Sequence, residues 1–165
     1  MDETGLGGLL VTPGGMAELR EVVTRMGAAA LLSGILGLER ELRSKPLGLR
    51  TNILVALGAC SFGLITMELV DLFRRDDSLG SIDPSRVVQG IIEGIGFLGT
   101  GAIIQSRGDV YGATTGATIW VVGAIGIACG FGFYIHAAAA TVVAFLVLTV
   151  LGGLERLFRA DSKGG

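Results

Sequence analysis

Four side chains recur every seven residues near the middle of the chain: Arg86, Glu93, Thr100 and Arg107. Seven residues turn an α-helix by about 700°, so the set drifts by only about 20° per step and lies on one narrow face. Gln89 and Gly96 fall near that face. Glu93 is the most informative of them, because the run Val87–Ile104 around it holds no other ionisable side chain. A carboxyl in such a run can take up a proton, hold a cation or pair with a basic group on another protein. It can equally be a protonated or Arg-paired group that locks helix packing. If the run crosses a membrane, the stripe is expected to point into the bundle, since a lipid-facing carboxylate costs a few kcal/mol. Glu68, near the outer end of another apolar run, reads as a solvated interfacial carboxylate.

Other chemistry-bearing residues say less. Gly94-Ile95-Gly96-Phe97-Leu98-Gly99 matches the spacing of a dinucleotide fingerprint, but that motif needs a strand before it and a helix beginning under it, and here it lies inside an apolar span. Cys60 and Cys129 sit in apolar runs without a second Cys or a His at metal-ligand spacing. They read as small buried hydrophobes, and their depths, about 12 Å and about 22 Å from the inner ends of their helices, argue against a disulfide. His136, the single histidine, and its neighbour Tyr134 read as interfacial, and Trp120, mid-span, as packing inside the bundle. No Ser/His/Asp set, metal cluster or nucleotide loop points to an enzyme or to a bound cofactor.

The elements that must carry these residues are membrane helices. Hydrophobic residues make up 50% of the 165, charged residues only 17%, and mean hydropathy is +0.67, too little charge for a water-soluble surface. A net charge of −2 without a basic stripe excludes nucleic acid as a partner. Apolar runs of about 20 residues match a hydrocarbon core of about 30 Å. They predict spans at Leu19–Leu38, Asn52–Phe73, Val87–Ser106, Ala113–Phe131 and Ile135–Leu154. In the first, Arg25 is expected to snorkel beside Glu21. The acidic start, Met1-Asp2-Glu3, lacks a signal peptide's basic region, so the first helix is expected to be retained. Placing the first and third loops and the C-terminal tail in the cytoplasm puts eight Lys and Arg inside against five outside, which predicts an outside N-terminus. The 28 glycines fit packed membrane helices, and Gly90/Gly94, Gly112/Gly116 and Gly126/Gly130 have close-approach spacing.

The first loop, by itself a charged turn broken by Pro46 and Gly48 with Thr51 or Asn52 capping the next helix, begins a longer match. Gly37-Leu38-Glu39-Arg40-Glu41 and Gly48-Leu49-Arg50-Thr51-Asn52, then Gly94–Ile103, then Gly112–Trp120, resemble three ordered signature blocks of the MgtC/SapB family. Asp83–Arg86 stands where the family tends to place an acid and an arginine. The resemblance covers about residues 28–152. It implies a bacterial inner-membrane protein tied to adaptation to low magnesium and, in pathogens, to survival in macrophages. Members are regarded as modulating other membrane proteins, including the F-type ATP synthase. Glu93 departs from the pattern, standing where a small Ser or Thr is expected, as does Val121, where some members have Cys. Longer members carry a soluble C-terminal domain, whereas about ten residues follow the last expected span here.

The sequence thus predicts an all-α polytopic bundle of about five transmembrane helices over residues 17–154, with a flexible tail at 1–16 and a short cytoplasmic tail at 155–165. It is expected to be non-enzymatic and to work on other integral membrane proteins within the lipid bilayer, and its small-residue spacings allow a homodimer. The candidate contact residues are Glu93, Arg86, Thr100, Arg107 and Asp109, with Glu39, Arg40, Arg50, Thr51, Asn52 and Thr115 from the signature blocks. The rival reading is a Mg²⁺ or proton pathway through Glu93, with Glu68 as a second carboxylate.

Overall fold

The computed structural model of the chain describes residues 13–75, 83–106 and 109–154. Five helices account for most of them: α1 (Pro13–Leu42), α2 (Leu49–Arg75), α3 (Pro84–Gly101), α4 (Ala113–Gly130) and α5 (Tyr134–Leu146, continued by a π-helical turn at Val147–Leu151). The described chain is an all-α bundle apart from one small antiparallel hairpin, β1 (Ile104–Ser106) with β2 (Asp109–Tyr111), in the register Ile104 opposite Tyr111. The helix begins at Pro13, inside the expected tail, while residues 1–12 and 155–165 lie outside the described residues.

Four of the helices, α1, α2, α4 and α5, are long and apolar enough to cross a membrane. The fifth, α3, falls short because Arg86, Gln89 and Glu93 and five glycines dilute its hydropathy over 18 residues. It begins sharply at Asp83, whose carboxylate accepts the Ser85 N–H at 2.9 Å while Pro84 takes the first helical position. Ser85, through its side chain and backbone, holds the Asp83 carboxyl below the usual carboxylate range. The far end comes earlier than the expected span. After Gly99-Thr100-Gly101 the N–H of Ala102 closes the helix onto Leu98 and Gly99 carbonyls, and the chain turns into β1. The stripe of α3 ends with Thr100, and Arg107 lies outside the described residues.

The bundle is organised on α4, which packs against all four other helices. Its glycines set the distances. An ideal Cβ on Gly116 would lie 2.7 Å from the Gly99 carbonyl oxygen, and one on Gly123 2.2 Å from Ile95 Cδ1, so α3 approaches along this face. Farther along the same side a Cβ on Gly126 would lie 2.4 Å from the Ala56 oxygen, and one on Gly130 2.6 Å from the Cys60 oxygen, which brings in α2 next to α3. The core between them holds Ala29, Leu36, Ala56, Cys60, Val122, Ile125, Cys129 and Ala137.

This packing corrects two readings of depth and facing. Gly130 rests on Cys60, so Cys60 and Cys129 are at the same level rather than about 10 Å apart by helix rise; both are free and buried. The helices start at different levels, which counting from their ends could not reveal. Trp120 is half-exposed, not packed inside, and lines a lateral apolar groove of about 440 Å³ with Val88, Ile92, Ala124 and His136. Large apolar side chains such as Leu31, Leu42 and Ile135 face outward, as acyl chains require.

Candidate functional site

The candidate residues separate into two groups. The first gathers where α1 ends and α2 and α4 begin. Glu39 and Arg40 are both buried on α1, but they do not pair with each other: Arg43 Nε meets Glu39 Oε1 at 2.6 Å, one turn on. Arg40 instead reaches across to α4, where its Nη2 donates to the Thr115 hydroxyl. The loop between α1 and α2 turns through Ser44 and Leu47 at positive φ, 52° and 58°. Asn52, 1% exposed, ties it down by donating from Nδ2 to the Leu47 and Gly48 carbonyls at 2.7 and 2.8 Å.

The cap of α2 is not Thr51 or Asn52, because the helix already begins at Leu49. Glu41 supplies it from α1, its carboxylate accepting the Leu49 N–H at 2.8 Å, where a negative charge also meets the positive end of the helix. Sequence spacing hid Glu41 because the cap belongs to the preceding helix. The Glu39/Arg43 pair, by contrast, is readable as i,i+4. The Gly37-Leu38-Glu39-Arg40-Glu41 block is thus a structural joint: Gly37 lets Leu49 approach, since a Cβ there would lie 2.8 Å from the Leu49 Cα. Arg50 is exposed and Thr51 half-buried beside it.

The second group lies on the outside of the bundle. Ile95 and Gly99 are the buried residues of α3, and Arg86, Glu93, Phe97 and Thr100 lie on the opposite side, all exposed. The expectation that Glu93 faces into the bundle is therefore overturned for the single chain. The reason is the glycine contact with α4: Gly99 and Ile95 must face Gly116 and Gly123, and a helix rotated to that contact turns its seven-residue stripe outward. Glu93 Oε1 accepts from Gln89 Nε2 at 3.0 Å, and Thr100 donates to the Gly96 carbonyl at 2.9 Å. Gly90, Gly94 and Gly101, on the same side, have open space where a Cβ would be. Asp109 belongs to β2, opposite Ser106 in the hairpin.

At the opposite end of the bundle, Arg25 pairs with Glu21 as expected and also donates to the Gly130 carbonyl, closing the C-terminus of α4 with a positive charge. Glu68 is exposed. Among the described residues no group of three His, Cys, Asp or Glu side chains converges as a metal centre would require.

The model of the MgtC family matches residues 26–157. The chain is 40% identical over 141 residues to Protein MgtC of Brucella abortus, an overlap of 84% of this chain and 56% of that protein. It is 37% identical over 131 residues to Protein SapB of Bacillus subtilis, covering 79% and 55% of the two chains. It is 36% identical over 144 residues, 87% and 65% of the two chains, to YhiD of Escherichia coli K12, which carries the name of a candidate magnesium transporter. The chain therefore spans between 55% and 65% of the length of these relatives. No solved structure matches it. With the three signature blocks now placed in one bundle of apolar helices and the family match running through four of its five helices entirely and through most of α1, this chain is a membrane protein that belongs to the MgtC family.

Proposed function

We propose that the protein is a non-enzymatic component of the bacterial inner membrane that acts by binding and modulating another integral membrane protein, such as an ion-motive ATPase, through the outward face of α3. What carries this reading is the placement of Glu93. A carboxyl in mid-helix, opposite the buried Ile95 and beside Gly90 and Gly94, is costly against acyl chains and well suited to a partner helix. A covering helix would bury the carboxyl, answer it with a donor, and approach closely over the glycines. The physiological setting we propose, adaptation to low magnesium or life inside a host cell, is the one the family resemblance implies.

A cation pathway within one chain finds less support, because Glu93 is outside the bundle and the buried hydroxyls of Ser33, Thr118 and Thr141 are directed to carbonyls of their own helices. The discriminating experiment uses purified protein in proteoliposomes. We expect no Mg²⁺ or proton flux above that of empty vesicles, with or without Glu93→Gln; flux from the protein alone, abolished by Glu93→Gln, would establish the transporter instead.

The charge asymmetry supports a cytoplasmic Arg40–Arg50 loop. A cysteine at Ser78 should be labelled by an impermeant maleimide added to intact cells and one at Ser44 should not, against little background from the buried Cys60 and Cys129. The reverse pattern would invert the topology.

A further inference from the structure

Arg40 carries a buried positive charge that forms no salt bridge among the described residues, although the carboxylate of its neighbour Glu39 acts on it through space. Its side chain is 4% exposed, and its neighbour Glu39 is engaged by Arg43. Among the described residues its one hydrogen bond is from Nη2 to the Thr115 hydroxyl. Nε, on the same edge of the planar guanidinium and pointing the same way, is buried without a partner among the described residues.

Thr115 belongs to the first turn of α4, and among the described residues no side chain of the N-cap position caps that turn. Gly112 leads into it at φ 85° and has no side chain to offer. The Gly116 N–H bonds back to the Gly112 carbonyl at 2.8 Å. The N–H groups of Ala113, Thr114 and Thr115, ahead of it, have no carbonyl within the helix to take them. A guanidinium and the positive pole of an 18-residue helix thus meet at the buried Thr115, with Ala113 and Thr114 exposed beside it. They repel each other unless a negative group lies between them.

We propose that Arg40 and the N-terminus of α4 bind a phosphate group, presented by a phospholipid headgroup or free in solution. A phosphate offers three or more oxygens, enough for the guanidinium edge and the helix N–H groups together, where a carboxylate has two. The hydroxyls of Thr114 and Thr115 add two further donors. Arg40 is two residues from the end of α1, which sets the site at headgroup depth. Arg43, Lys45 and Arg50 at the same end raise the local concentration of anions. The site is separate from the outward face of α3 and does not depend on the function proposed for it.

The test is the thermal unfolding of the full chain, delipidated in a neutral detergent and followed by exposure of the buried thiols of Cys60 and Cys129. Three probes are added at constant ionic strength: inorganic phosphate, dihexanoyl phosphatidylglycerol and dihexanoylglycerol, which lacks the phosphate. At saturation a phosphate-bearing probe should raise Tm by about 5 °C, and dihexanoylglycerol should not. A shift with inorganic phosphate identifies a site open to the soluble anion; a shift with phosphatidylglycerol alone identifies a headgroup site. Arg40→Gln should abolish the shift. So should Ala113→Asp, an exposed change that places a carboxylate at the helix end and decides the matter if Arg40→Gln does not fold. The proposal is overturned if neither phosphate probe shifts the wild type, if dihexanoylglycerol does as well as they do, or if Ala113→Asp responds like the wild type.

Discussion

Gly126→Val is expected to open the bundle. A Cβ at that position would lie 2.4 Å from the Ala56 carbonyl oxygen and 2.9 Å from the Ala56 Cα. These are backbone atoms in the middle of α2 and cannot swing aside as a side chain can. The two helices must part, and the core of Ala56, Cys60, Ile125 and Cys129 loosens with them. Overpacking costs about 1–3 kcal/mol where neighbours can yield, and here we expect about 3 kcal/mol or more, a fall of about 6–12 °C in Tm. Reaction of Cys60 and Cys129 with a maleimide in mild detergent reads the transition directly, since both thiols are buried while the bundle is closed. Gly94→Ala is the matched control. Nothing lies within 4 Å of a Cβ there, so Tm should stay within about 2 °C. Equal falls for the two variants would contradict the packing described.

Gly112→Ala should be nearly as damaging, for a different reason. The residue sits at φ 85°, a conformation that costs a side chain about 1–3 kcal/mol, and the added Cβ would lie 2.1 Å from the Ala102 carbonyl oxygen. The hairpin and the first turn of α4 would have to shift together. We expect a loss of about 3 kcal/mol or more, read as a fall of about 6–12 °C in the same thiol assay. A variant that unfolds within about 2 °C of the wild type would show that the turn accommodates a side chain.

The helices were legible in the sequence because apolar runs of bilayer length need no partner to be recognised, and the three signature blocks identified the family. What failed was facing and level. The seven-residue stripe correctly grouped Arg86, Glu93 and Thr100 on one side of α3, but periodicity gives a face without saying what it meets. The rotation of α3 is set by Gly99 and Ile95 against Gly116 and Gly123, contacts between residues far apart in the chain. The spacing of Gly112 and Gly116 looked like one helix-packing pair, whereas Gly116 meets the Gly99 backbone of α3 and Gly112 combines a positive φ with close approach to the Ala102 carbonyl. Glu41 as the cap of α2 and Arg25 as the closure of α4 were equally out of reach, since each serves a helix other than its own.

If the outward face of α3 is covered by protein in the membrane, site-specific photo-crosslinking in native membranes should capture the covering chain. A photoreactive phenylalanine analogue replaces Phe97, 80% exposed beside Glu93, and in a second strain Leu31, 74% exposed on α1. We predict that position 97 yields a discrete adduct with an integral membrane protein, lost when Glu93→Leu is added, while position 31 yields lipid adducts alone. An adduct with a second copy of the chain would identify that partner as the protein itself. Lipid adducts alone at position 97, matching those at position 31, would contradict the account.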